Sequence, residues 1–148
     1  MSLTARFKTD TELETKGAKF ELPANEDGSI PAFYLARMSN TNPRYLKVLN
    51  ETMKPFQREL ALGVLSEEKA NELRVNIFVD SILTGWENVL YSDVFGETDV
   101  METRFATFDK KAATQLLGRL PELHKILETF ASNMANFLES NRKEAAKN

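Results

Sequence analysis

The stretch from 66 to 91, SEEKANELRVNIFVDSILTGWENVLY, constrains the fold more than any other part of the chain. Ser66 offers a capping hydroxyl, and Glu67 and Glu68 stand where the positive end of a helix dipole favours carboxylates. The apolar residues that follow occupy more than half of a helical circumference. The pattern predicts one central helix over about 66–91, with Leu73, Ile77, Phe78, Ile82, Trp86 and Val89 in the core. A helix this apolar needs neighbours on several sides, so the rest of the chain has to supply them.

The flanking segments can do so. In residues 17–37, Phe20 and Leu22 alternate with Lys19 and Glu21, while Phe33 and Leu35 alternate with Ala32, Tyr34 and Ala36. The turn-forming PANEDGS between them predicts a small β-hairpin, which two strands cannot stabilise alone in water. Next, Asn42 as N-cap and Pro43 at the first helical position predict a helix over about 43–60. Pro55 should break or kink it, because proline lacks the N–H and crowds the preceding turn. Asp109 as N-cap predicts a short helix over about 109–118, and Pro121 opens a last one over about 121–138. Residues 92–108 lack a clean period and read as a loop. The polar run 139–148 reads as a frayed tail. The expectation is one domain over 1–140, mainly α with a small N-terminal β-hairpin (α+β), its helical core built around the central helix.

Composition limits what such a domain can do. Cysteine is absent, which removes disulfides and thiolate metal sites. No run of about 20 apolar residues and no secretory signal is visible, so the expected location is the cytoplasm and no membrane contact is expected. The net charge is -3, and the acids concentrate in residues 61–108, with nine acidic against three basic groups. A nucleic-acid binder would carry a dense cationic surface, which this distribution does not offer.

Candidate chemistry is sparse. His124 and Glu128 lie one helical turn apart, but two ligands do not make a metal site. Asp80 and Glu87, two turns apart on the expected central helix, could pair as acid and base, yet they read better as its thin polar face. Asp93, Glu97, Asp99 and Glu102 do not follow the alternate-position order of a calcium loop. Arg44, Lys47, Lys54 and Arg58 fall near one helix face, which reads first as a solvated face. No phosphate cradle or nucleophile elbow is present, so no enzyme and no cofactor is expected. What remains is an apolar surplus near the C-terminus. On the last helix Phe130, Met134 and Phe137 continue one stripe, which Leu127, Ala131 and Leu138 widen. A partner is expected to bind through Phe130, Met134 and Phe137, with Arg44 and Lys47 meeting its acidic groups.

The order of segments carries a further signal. A hairpin strand running into AFYLARMSNTNPRYLKVL comes first, then a helix ending in ILTGWENV, then ATFDKKAATQLLGRLPELHKILETFASNMANF. Over about residues 5–140 this resembles the tail assembly chaperones of long-tailed bacteriophages. The resemblance is carried by Ala36, Arg37, Asn42, Trp86, Val89, Phe108, Leu120, Pro121, Glu122, Leu123, Ala131, Ser132, Asn133 and Phe137. The chain has MSNTN where relatives often carry a Gly-Gly turn. The resemblance implies a small, largely helical protein of the host cytoplasm, absent from the mature virion. Such a protein coats the tape measure protein, helps recruit the tail tube protein, and self-associates as a homo-oligomer. The rival expectations are a minor tail or connector protein retained in the particle, a nucleic-acid-associated regulator using the basic face, and a hydrolase using Asp80.

Overall fold

The computed structural model describes residues 1–96 and 105–141. Two short helices, α1 (Leu3–Phe7) and α2 (Thr11–Lys16), precede the strands β1 (Ala18–Glu21) and β2 (Ala32–Leu35). Helix α3 (Pro43–Met53) follows, then a 3-10 turn (Lys54–Phe56), α4 (Gln57–Leu62) and α5 (Glu67–Ser81). Strand β3 (Leu83–Glu87), α6 (Tyr91–Phe95), α7 (Lys110–Arg119), α8 (Pro121–Ser132) and a final 3-10 turn (Met134–Phe137) complete the order. The architecture is α+β: an antiparallel sheet in the order β1-β2-β3 with the helices gathered about α5, which packs on α3, α7 and β3.

Local chemistry sets most of the boundaries. Asn42 is buried and accepts from the amides of Arg44 and Tyr45, while its Nδ2 donates to the Arg37 carbonyl at 2.9 Å. One side chain thus starts α3 and fixes its entry from β2. Pro55 ends α3 in the 3-10 turn, and Gly63, at φ 67°, closes α4 in the left-handed region. Ser66 and Asp109 accept from Lys69 and Ala112 amides and begin α5 and α7. The hairpin turn is tied down by Asn25, whose Nδ2 donates to the Asn88 carbonyl, and by Asn88, whose Nδ2 donates to the Ile30 carbonyl.

The expected helix over 66–91 is corrected. It stops at Ser81, and LTGWE becomes the third strand. Leu35 opposes Leu83 and Tyr34 opposes Gly85, so Thr84 is the extra residue of a bulge, its Oγ1 donating toward the Lys16 and Tyr34 carbonyls. The bulge resets the alternation, so Leu83 and Trp86, three residues apart, both face the core. That spacing imitates a helical period. The hairpin therefore leans on a strand as well as on helices, and β3 supplies backbone partners along the second edge of β2.

The last helix is also shorter than expected. It ends at Ser132, because Asn133 accepts from the Ala135 amide and Asn136 Nδ2 donates to the Phe130 carbonyl, diverting the backbone into the 3-10 turn. Beyond it, Leu138 bridges Thr9, the Glu139 amide donates to the Lys8 carbonyl and the Asn141 amide to that of Leu138, so the expected tail is held over 139–141. The remainder of that tail, 142–148, lies outside the described residues.

The core forms between the inner face of the sheet and α5, α7 and α8. Leu73, Ile77, Phe78, Ile82, Trp86 and Val89 are all buried, although Ile82, Trp86 and Val89 are not helical. Ala112, Ala113, Leu116 and Leu117 form the inner face of α7, and the two alanines let it approach α5 and α6 closely. Trp86 sits edge-on to Phe33 and Phe108, and its Nε1 donates to the Ala106 carbonyl at 2.8 Å.

Candidate partner-binding face

The residues expected to meet a partner do not form one surface. Phe137 is fully buried and sits edge-on to Phe130 with ring centroids 6.3 Å apart. It belongs to the core, a correction that follows from the helix break at Asn133, which turns it inward. Met134 is half-buried in the same 3-10 turn. Arg44 Nε and Nη2 both donate to the Asp80 carbonyl, at 3.2 and 2.8 Å, so this guanidinium clamps α3 to α5. Lys47 is exposed on α3, and Lys54 and Arg58 are exposed beyond it.

Phe130 is placed differently. Its ring stacks on Phe20 of β1 at 4.6 Å and 19°, and both rings are half-buried. With Ile126, which is 48% exposed, they line a shallow depression of about 390 Å³ on α8, edged by Lys125, Thr129, Asn133 and Asn136. An apolar floor with a polar rim is the form that accepts an apolar side chain from a partner. Phe20 belongs to the hairpin and Ile126 to the last helix, and only the docking of β1 on α8 brings them together. A second apolar surface lies at the end of α4, where Leu60, Leu62 and Val64 are exposed.

Beside α8 a cleft of about 700 Å³ separates α5 from α7 and the start of α8. Its walls include Glu67, Glu68, Glu72 and Glu122 against Arg74 and Lys125. At its base lies His124, buried against Phe78 at 4.9 Å between ring centroids. Arg74 Nη2 donates to Glu128 at 2.9 Å, and His124 Nε2 lies 3.6 Å from the same carboxylate oxygen, too far for a hydrogen bond. Burial pushes the His124 imidazole below its ordinary value, against the pull of Glu128, and Arg74 lowers it further. The folded state therefore binds fewer protons than the unfolded chain. The stability this contributes is present above about pH 6.5 and is lost as the pH falls toward the depressed folded value. Urea unfolding at about pH 7.5 and about pH 5.5 should show wild type weakening at the lower pH and His124→Gln losing much of that dependence.

Asp80 and Glu87 do not meet as an acid and base pair. Asp80 pairs with Lys110 at 3.2 Å, and Glu87, on β3, accepts from Tyr34 Oη at 2.6 Å, which holds its carboxyl below the usual range. Asp93 is exposed on α6, whereas Glu97, Asp99 and Glu102 lie outside the described residues. Among the described residues no three His, Asp or Glu side chains converge where a metal ion could sit, and no helix is long and apolar enough to cross a membrane.

No curated protein and no solved structure matches the chain. A family model described as YdaY prophage protein matches residues 40–148, from the turn before α3 onward. That span takes in α5, β3, α7 and α8, which supply most of the core and the helical side of the apolar depression. On a match over well more than half of its length, the chain belongs to the YdaY prophage protein family and is phage-derived.

Proposed function

We propose that this protein is a non-enzymatic tail assembly chaperone that binds the phage tape measure protein, keeps it dissolved, and helps recruit tail tube subunits. The observation that carries the reading is the apolar depression on α8, where Ile126 stands 48% exposed beside Phe20 and Phe130. A long helical client exposes apolar stripes at intervals, and a shallow site with a polar rim can cover one such interval by contact with a helix face. Weak sites repeated along one client gain by multivalency, so self-association belongs to the reading. Phage origin supports it, since a tape measure protein would be present in the same cell. Action in the host cytoplasm and absence from the mature virion complete the proposal.

Co-expression with the tape measure protein of the same prophage tests it. Wild type should keep the client in the soluble fraction, and Ile126→Glu should not. The glutamate forgoes about half of the 1.5–3 kcal/mol that full burial of such a side chain contributes and adds the cost of desolvating a carboxylate under the client, together roughly 10-fold or more in affinity. It should leave the melting temperature nearly unchanged, because the side chain is already half in water. A client equally soluble with no chaperone present would overturn the reading.

A further inference from the structure

We propose that β1 is an interface between two copies of this chain, paired antiparallel about a two-fold axis through Phe20. Strand β1 pairs with β2 on one edge, and among the described residues no strand pairs with its other edge. The Leu22 amide donates to the Pro31 carbonyl across the hairpin. Backbone groups alternate in direction along an antiparallel strand, so Phe20 also faces β2, and the N–H and C=O of Lys19 and Glu21 point to the open edge.

The sequence of that edge is complementary to itself. In a two-fold antiparallel pairing centred on Phe20, Lys19 of each copy stands opposite Glu21 of the other. Those are the residues whose backbone groups point outward, so the hydrogen-bonded positions and the opposite charges coincide. Both side chains are exposed, on the face of the sheet away from α8. In the single chain the Lys19 ammonium reaches across β2 to Glu87 of β3 at 3.5 Å, a contact in water that pairing with Glu21 of the second copy replaces. Phe20 points to the other face, where it stacks on Phe130 and borders the depression that ends at Ile126. The two-fold brings the second Phe20 beside the first, at the margin of this depression. One register thus satisfies the backbone edge, the charges and the apolar surface together, as an isologous dimer interface requires. Pro23 lacks an N–H and limits the pairing to this short strand.

The proposal specifies the self-association within the chaperone reading, but it stands or falls without any client. The test uses the full chain alone, by sedimentation at concentrations on the order of 100 µM, where weak interfaces populate. Wild type should be dimeric. Lys19→Glu sets like charges opposite one another twice, as does Glu21→Lys, and each variant alone should dimerise at least about tenfold more weakly. An equal mixture of the two restores opposite charges at both positions and should recover the dimer. Amide exchange gives a second reading: in wild type, protection of the Lys19 and Glu21 amides should rise with concentration, while that of Phe20 should not. A monomeric wild type, or single variants as dimeric as wild type, would overturn the proposal. So would a mixture that stays monomeric.

Discussion

Trp86→Ala should lower the stability of the fold by about 3–5 kcal/mol, a large part of what a domain of this size has in total. Urea unfolding followed by circular dichroism measures it. The indole fills the centre of the sheet's inner face between Phe33 and Phe108, and its removal leaves a cavity that the rigid β2–β3 pairing cannot collapse into. It also strands a buried acceptor. The Ala106 carbonyl receives the Trp86 Nε1 hydrogen, and this bond pins the chain where it returns at 105–108 to the sheet. Trp86→Phe keeps most of the volume but loses the donor, so it should cost about 1–3 kcal/mol, the penalty of one unsatisfied buried group. If the two variants cost the same, the loss they share, the hydrogen bond to the Ala106 carbonyl, carries the whole effect and the packing of the ring adds nothing.

Phe137→Ala should be comparably severe, about 3–5 kcal/mol, because the ring is fully buried. The same position anchors the N-terminal segment, since the Phe137 carbonyl accepts from the Asp10 amide at 2.7 Å. Loosening the 3-10 turn should therefore release residues 8–10, which hydrogen exchange would register as faster Asp10 and Glu139 amides. Met134→Ala, at a side chain only half-buried, should cost less than Phe137→Ala. Had Phe137 faced a partner, its removal would leave stability intact and affect binding alone.

The contrast between these two aromatics explains how far the sequence could be read. Asn42-Pro43, Pro55, Ser66 and Asp109 act on their own backbone neighbours, so the starts of α3, α5 and α7 and the break after α3 were legible from local chemistry. Burial of Trp86 was legible too, for a reason that concealed its setting. The bulge at Thr84 gives Leu83 and Trp86 a three-residue spacing, and a strand read through a bulge passes for a helix. Gly85, a poor helix former, was the local sign against it. Phe137 failed differently: Asn133 and Asn136 bend the chain through side-chain bonds to the backbone, which periodicity does not register. Helices α1, α2 and α6 were not anticipated, although Asp10 caps α2 by accepting from Glu12 and Leu13 amides, a pattern visible in the sequence.

The candidate site was less legible than the fold, because contacts between distant segments make it. Phe20 and Phe130 are far apart along the chain, and nothing local couples them. Arg74 and Glu128 likewise meet only through the packing of α5 against α8. Arg44, expected to reach a partner, instead holds the end of α5 through the Asp80 carbonyl, a role its position on a basic face does not announce.

Binding of the purified protein to purified segments of the tape measure protein, measured by calorimetry, tests the chaperone account most directly. Saturable binding that Ile126→Glu weakens roughly tenfold or more, with the variant still folded, is the predicted result. Absence of binding to every segment, or binding indifferent to that substitution, would contradict it.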